Sequence, residues 1–189
     1  MPRYSSGRHG FTLVELLMVV VIVGMMAGIA IPRSGLASYQ ANSGARVVAS
    51  ALTHAQRLAV SQQADIRVAF DVPSNEMRVH EDRDNDNVID VGERVVFTSL
   101  PEGVTFGRGA ADPRDIGGEV VTFTRTQDGL PVVVFHRDGT TSESGGLYLS
   151  TVAGLATGRD TDVRAVEIAR ATGRATWFSF ATGLWKRGV

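Results

Sequence analysis

The chain has 189 residues, a formal net charge of −1 and a pI near 6.4, and it contains no cysteine. This length allows one domain of ordinary size together with a membrane segment. The near-zero net charge argues against a protein that binds nucleic acid over its whole surface. The lack of cysteine excludes disulfides and thiolate metal sites from holding the fold together.

The N-terminal part is dominated by an apolar run between Gly10 and Pro32, whose length is close to the roughly 20 residues that span a bilayer. The run contains one charged residue, Glu15. A carboxylate at membrane depth costs about 2.5–3.5 kcal/mol on insertion scales, which makes Glu15 a candidate functional residue. The polar leader at residues 1–10 carries basic residues and no acid, which favours a cytoplasmic N-terminus.

The hexapeptide Gly-Phe-Thr-Leu-Val-Glu at Gly10–Glu15 resembles the prepilin-peptidase site of type IV pilins and pseudopilins. The resemblance implies cleavage between Gly10 and Phe11, followed by methylation of the new Phe11 amine. It also implies that Glu15 is the family's acidic residue and that Pro32 is its helix-kinking proline. A buried Glu15 needs a partner, and the N-terminal amine of a neighbouring subunit could neutralise it. The alternative is an ordinary signal anchor with an accidental glutamate.

We expect one long helix from Phe11 to Gln63, with the membrane span in its first half. Pro32 lacks an N–H donor and crowds the preceding turn, which predicts a kink. Beyond the kink, apolar residues recur at three- and four-residue spacing, as on the buried face of an amphipathic helix. We expect this stripe to lie on a sheet: Val48, Leu52, Ala55, Leu58 and Ala59.

The remainder of the chain predicts strands, because β-branched and alternating runs are separated by turn residues. The expected strands are 65–71, 76–80, 94–99, 119–125, 132–136, 163–169 and 174–180, with loops at 107–118 and 151–162. A helix followed by hairpins indicates an α+β fold, with a long N-terminal helix packed on antiparallel β-sheets. We expect a leader at 1–10, a transmembrane and filament-core helix at 11–35, and a periplasmic globular domain at 36–189.

An acidic loop at Asp82–Glu93 follows the calcium-loop pattern. The pattern requires glycine at its sixth position, where this chain has Asn87, a residue that tolerates a left-handed backbone. The alternative is a metal-free hairpin loop, because Asp and Asn favour turns by themselves. The candidate Ca²⁺ ligands are five carboxylates and one backbone carbonyl: Asp82, Asp84, Asp86, Val88 (carbonyl), Asp90 and Glu93.

The C-terminal segment from Thr157 to Val189 has six bases and three acids, with aromatic residues between them. Such a surface suits nucleic acid. The alternative is a hairpin with its aromatic residues in the core and its arginines in solvent. The candidate DNA-binding residues are Arg164, Arg170, Arg174, Lys186 and Arg187.

The C-terminal half resembles the minor-pilin family that contains GspH and FimT, in the stretches Val132–Thr141, Gly146–Ser150 and Val163–Trp177. Some FimT-like pilins bind DNA through a Gly-Arg-x-Arg motif. Here Gly173 and Arg174 are followed by Ala175 and Thr176, so the second arginine is missing.

The resemblance implies a structural minor pilin or pseudopilin in a type II secretion pseudopilus or at a type IV pilus tip. Its expected partners are the prepilin peptidase, the inner-membrane assembly platform, and other major and minor pilins. We expect a single pass through the bacterial inner membrane before assembly. The chain has no Gly-x-Ser-x-Gly, His-Glu-x-x-His or Walker motif, and we expect no catalysis. The alternative function is DNA binding during uptake.

Overall fold

The structure, a computed structural model, describes residues 11–29 and 34–188. The chain divides into two compact units, Met1–Ser34 and Gly35–Val189. The first unit contains helix α1, Leu13–Ile29, which has 17 residues. No helix within the described residues combines the length and apolar character needed to cross a bilayer. Pro32, and with it the predicted kink, lies outside the described residues.

Helix α2, Ser34–Gln62, supplies the apolar stripe that the sequence predicts. Four of its predicted residues are completely buried, and Leu58 is partly buried against the same core. Gly44 lets this helix approach Val104 closely, because a Cβ at position 44 would lie 2.6 Å from Cγ1 of Val104. The stripe residues that are completely buried are Val48, Leu52, Ala55 and Ala59.

Within residues 34–188, ten strands form two antiparallel sheets of five strands each. Sheet 1 has the order β3-β2-β1-β6-β5, and sheet 2 has the order β10-β9-β8-β7-β4. The strands of sheet 1 are β1 (Asp65–Asp71), β2 (Glu76–Asp82), β3 (Val95–Ser99), β5 (Thr126–Gln127) and β6 (Leu130–Phe135). Those of sheet 2 are β4 (Val104–Phe106), β7 (Gly145–Thr151), β8 (Arg164–Ala169), β9 (Arg174–Ala181) and β10 (Leu184–Arg187).

One apolar core joins α2 to the inward faces of both sheets. Strand β1 shows the alternation that builds it, since every second side chain points into the core. Sheet 2 also has a smaller apolar cluster of its own, which includes Tyr148, Val163 and Phe180. The α+β fold, with a helix packed on antiparallel sheets, is therefore confirmed. The β1 residues in the main core are Ile66, Val68 and Phe70.

Two segments, 119–125 and 151–162, have a secondary structure that differs from the prediction. The expected strand at 119–125 forms a single bridge, Val121 with Leu147. The Glu143 carboxylate accepts hydrogen bonds from the backbone N–H groups of Thr124 and Arg125, so these two donors are not available to a neighbouring strand.

The expected loop at 151–162 contains helix α3, Val152–Thr157, and a 3₁₀ turn at Asp160–Asp162. Thr151 caps α3 by accepting a hydrogen bond from the Gly154 N–H at 2.9 Å. The short strands β4 and β10 carry no periodic pattern long enough to be read from the sequence.

Candidate functional site

Two of the predicted processing and assembly residues are described by the structure. Phe11 lies just before α1, and Glu15 lies in its first turn. Phe11 is 75% exposed. Thr12 caps the helix, because its Oγ1 accepts a hydrogen bond from the Glu15 N–H at 3.2 Å. The spacing of Thr12 and Glu15 is that of a capping box. A negative charge in the first turn also interacts favourably with the positive end of the helix dipole. Gly10 and Pro32 lie outside the described residues.

Every described side chain of α1 is exposed in the isolated chain, and Glu15 is the one charged residue among Leu13–Ile29. The apolar side chains are therefore distributed around the whole helix. A soluble surface helix would show a stripe instead. Such a helix needs an apolar surrounding that the described part of the chain does not supply.

The acidic loop between β2 and β3 is closed at its base by two buried carboxylates. Asp82, completely buried, forms an ion pair with Arg67 of β1. The same carboxylate accepts hydrogen bonds from the backbone N–H groups of Asn85 at 2.7 Å and Asn87 at 3.2 Å. Asn87 has a φ of 70°, the left-handed conformation that the calcium-loop pattern demands at this position.

Glu93 closes the other end of the loop. Its carboxylate accepts hydrogen bonds from the Arg83 N–H at 2.9 Å and the Asp90 N–H at 3.1 Å, and lies 2.6 Å from Nε2 of His80. These donors, the Arg83 N–H above all, stabilise the ionised carboxylate and lower the pKa of Glu93 to about 2. Burial acts in the opposite direction and is outweighed.

His80 is completely buried and connects the loop to the far side of sheet 1. Nε2 of Gln127 lies 3.0 Å from Nδ1 of His80 and donates to the Asn87 carbonyl at 3.2 Å. Every polar contact of the ring is satisfied when the imidazole hydrogen is on Nε2, facing Glu93. Side chains and backbone N–H groups of the protein thus hold both ends of the loop.

The predicted calcium ligands come together only in part. One oxygen from each of Asp82, Asp84 and Asp86 lies within 4.8 Å of the others. Partial loss of hydration, followed by the charge of Asp86, raises the pKa of the exposed Asp84. Glu93 faces His80, and Val88 is 53% exposed. Calcium binding by these residues and Asp90 stays a prediction.

Sequence reasoning missed the residues that hold the loop: Arg67, His80 and Gln127. A signal was present for two of them. Residues 65–71 and 76–80 alternate, and pairing them as a hairpin places Arg67 opposite His80 on the face away from the core. Gln127 carried no such signal, because its strand has two residues.

The predicted basic cluster is divided by the fold. Arg164 is 2% exposed, and its guanidinium donates hydrogen bonds to the side chains of Asn42 at 2.7 Å and Ser38 at 3.1 Å. Burial lowers its pKa. The expectation that Arg164 lies on a binding surface is therefore wrong, because it ties β8 to α2.

The other four basic residues are exposed, in two places. Arg170 and Arg174 lie at the turn between β8 and β9, whereas Lys186 and Arg187 lie on β10, paired with Ser179 and Phe178.

The aromatic residues near these bases have contacts within the protein. The guanidinium of Arg114 lies 3.6 Å from the ring centroid of Phe178. Trp185 packs at 5.0 Å, centroid to centroid, on Phe180. Its indole N–H donates to the Asp112 carbonyl at 3.0 Å. These rings are engaged in packing the loop at 107–118 on sheet 2, and DNA binding stays a prediction.

Two family models match the sequence. Residues 5–31 match the prokaryotic N-terminal methylation motif. Residues 44–172 match type II transport protein GspH. No curated protein matches the chain.

Two solved structures are similar to this one, both of the minor pseudopilin EpsH from the type II secretion system of Vibrio cholerae. The first is 15% identical with a TM-score of 0.42, over 74% of this chain and 95% of that one. The second is 15% identical with a TM-score of 0.43, over 79% of this chain and 94% of that one.

The two family matches follow one another along the chain in the same order as the two compact units. The methylation motif begins at residue 5 and covers α1, and the GspH match runs from α2 through all of sheet 1 and through strands β4, β7 and β8 of sheet 2. Since the second match alone covers more than half of the sequence, the chain belongs to the family of type II transport protein GspH, and it carries the prokaryotic N-terminal methylation motif.

Proposed function

We propose that this chain is a structural subunit of a type II secretion pseudopilus, incorporated through its N-terminal helix. The observation that supports the proposal is the exposure of α1, whose described side chains are all accessible in the isolated chain. Leu13 is 82% exposed, and Met25 is 67% exposed. An apolar surface of this kind marks a membrane or protein contact.

The helix has two suitable surroundings, lipid before assembly and sister helices afterwards. Both are apolar, so transfer from one to the other leaves the hydrophobic contribution nearly unchanged. Packing against other major and minor pseudopilins then depends on shape and on polar contacts. We infer that the chain waits in the inner membrane with its N-terminus in the cytoplasm, and that an assembly platform extracts it into the filament.

Glu15 supplies the polar contact in this proposal. A carboxylate among apolar helices needs a neutralising group, and a partner subunit's cleaved N-terminus offers a charged amine at Phe11. A buried polar pair fixes the register between helices more reliably than apolar contacts do. The contact requires cleavage after Gly10, because the leader otherwise covers the amine.

The test follows the full-length chain in cells that make the other pseudopilins. Gly10→Ser should leave an uncleaved form of lower mobility in the membrane. Glu15→Gln should insert and be cleaved normally but reach the pseudopilus at least about tenfold less often, because removal of one partner from a buried pair costs roughly 3–5 kcal/mol.

Glu102→Gln is the matched control, since Glu102 is exposed on the globular unit. Normal incorporation of Glu15→Gln would contradict the pairing. A leader that persists while the peptidase is active would contradict the assignment of the processing site.

DNA uptake remains the alternative. Arg170, Arg174, Lys186 and Arg187 are the exposed candidates for it, and Arg164 is withdrawn from that set because of its burial.

A further inference from the structure

Strand β3 (Val95–Ser99) lies at one edge of sheet 1, and among the described residues nothing pairs with its outer side. The hydrogen bonds from Glu81 N–H to the Arg94 carbonyl and from Leu100 N–H to the Asn75 carbonyl, both 2.9 Å, establish the pattern of its ladder. Bonded and non-bonded pairs alternate in an antiparallel ladder. The backbone groups of Val95, Phe97 and Ser99 therefore point away from β2.

This edge lacks the features that usually prevent pairing with another chain. Its sequence, Val-Val-Phe-Thr-Ser, has no charge and no proline. Phe97 is 63% exposed and Val96 is 39% exposed. One edge of sheet 2 differs, because its strand β10 carries Lys186 and Arg187. Of the two, β3 is the edge open to strand addition.

A groove of about 630 Å³ runs between β3 and α2, on the side of the sheet that faces the helix. In antiparallel pairing, every second residue of an added strand would point into it. The groove therefore offers a place for alternate apolar side chains next to an edge that offers backbone hydrogen bonds. Its apolar lining comprises Val47, Ala51, Leu58, Val79 and Val96.

The rim of this groove is basic. Helix α2 contains no aspartate or glutamate, and it contributes Arg46 and His54 to the groove. Arg94 lies on the other side. The one acid in the lining, Glu81, is 3% exposed and lies 3.6 Å from Arg94. A negatively charged segment is thus favoured over a basic or neutral one.

We propose that β3 and this groove form a docking site for an extended segment of a different pseudopilin subunit, which adds as a strand to sheet 1. The added segment places alternate apolar side chains in the groove and an acidic residue at its basic rim. Strand addition of this type takes its affinity from main-chain hydrogen bonds and its specificity from the pockets for alternate side chains. This proposal rests on the proposed function, since it names a second contact between the same subunits.

Cysteine crosslinking in cells tests the proposal on the full-length chain, because the native sequence has no cysteine. Phe97→Cys is introduced in cells that make the other pseudopilins, and its thiol is alkylated with benzophenone-maleimide. On irradiation the benzophenone inserts into a C–H bond of the chain that lies against it, so the partner needs no cysteine. We expect an adduct with another pseudopilin, identified by mass spectrometry. Leu184→Cys is the matched control, because Leu184 is 64% exposed on β10 and Phe97 is 63% exposed on β3. The adduct at 97 should exceed that at 184 at least tenfold.

A second pair of variants tests the hydrogen bonds. In the Phe97→Cys chain, Ser99→Pro removes one outward N–H and leaves the bonds to β2 in place, as proline on an edge strand permits. Ser99→Ala keeps that N–H. The adduct should fall about fivefold with proline and stay unchanged with alanine, the effect expected for one backbone hydrogen bond. Equal adducts in both variants would overturn strand addition.

Val20→Cys, on α1, separates this proposal from the proposed function. Adducts at position 20 with none above the control at position 97 would overturn the docking site and leave helix-mediated assembly intact. An adduct at 97 with the doubled mass of this chain would also overturn it, because the occupant would be a second copy. Absence of adducts at both positions would contradict the docking site and the proposed function together.

Discussion

The two helices α1 and α2 have the same secondary structure, but their apolar side chains are distributed differently. Those of α1 surround the helix and are exposed throughout its described part. Those of α2 are concentrated in one buried stripe, with Val48 and Leu52 completely buried against both sheets, while Leu36 and Val60 are exposed. The polar residues of α2 occupy the remaining faces. Helix α2 is therefore part of the hydrophobic core of the globular unit, whereas the described part of the chain supplies no apolar contacts that bury α1.

The difference shows which packing interactions stabilise each helix. An amphipathic helix gains most of its stability from tertiary packing of its apolar face. For α2 that packing is within the globular unit. For α1 the described part of the chain supplies no such packing, and under the proposed function the contribution comes from lipid or from other subunits. Substitutions in the two helices should therefore affect different measurements.

The largest expected effect separates the two helices directly. Leu52→Ala should lower the free energy of unfolding of the globular unit by about 2–5 kcal/mol, because it leaves a cavity in the core. Denaturant unfolding of the full-length protein in detergent measures this through tryptophan fluorescence, since Trp177 and Trp185 are in that unit. Val21→Ala in α1 is the control and should change the same transition by less than about 0.5 kcal/mol. Equal effects would contradict the distinction.

A smaller effect concerns the hydrogen bonds that join Arg164 of sheet 2 to Asn42 and Ser38 of α2. Arg164→Met should destabilise the globular unit by roughly 2–3 kcal/mol, because hydrogen bonds to a charged group are lost and Asn42 is left without this donor. Arg170→Met, the same substitution at an exposed position six residues further on, should change stability by less than about 0.5 kcal/mol. The same unfolding measurement checks both, and a stable Arg164→Met would show that these hydrogen bonds are dispensable.

The smallest effect contrasts the two structural carboxylates, Glu15 at the start of α1 and Glu93 in the acidic loop. The pKa of Glu93 is about 2 in the folded chain and 4.5 ordinarily. Since the folded pKa is the lower, the stabilisation is present above pH 4.5 and is lost as the pH falls towards 2.

Glu93→Gln should therefore flatten the pH dependence of unfolding in that range, measured by the same denaturant titration at several pH values. Glu15→Gln should leave it unchanged. A Glu93→Gln chain with the pH profile of the native protein would contradict the role of this carboxylate.

Local patterns predicted some parts of the molecule well and others poorly. Strand β1 was predicted with its observed bounds, Asp65–Asp71, because its alternation is regular. The segment at 119–125 has the composition of a strand, but Glu143 accepts the hydrogen bonds of the Thr124 and Arg125 N–H groups. The left-handed conformation of Asn87 could be expected, since asparagine tolerates it. The contacts of Asp82 and Glu93 with Arg67 and His80 could not be expected from the loop alone.

The amino-acid sequence by itself determined the processing motif, the apolar character of α1 and the buried stripe of α2. Each depends on the chemistry of neighbouring residues or on helical periodicity, which are readable along the chain. Only the tertiary structure decided that Arg164 is buried against Asn42, 122 positions away, and that β3 is an open edge. Strand order and register control these features, and they arise from pairings between distant segments that no local pattern encodes.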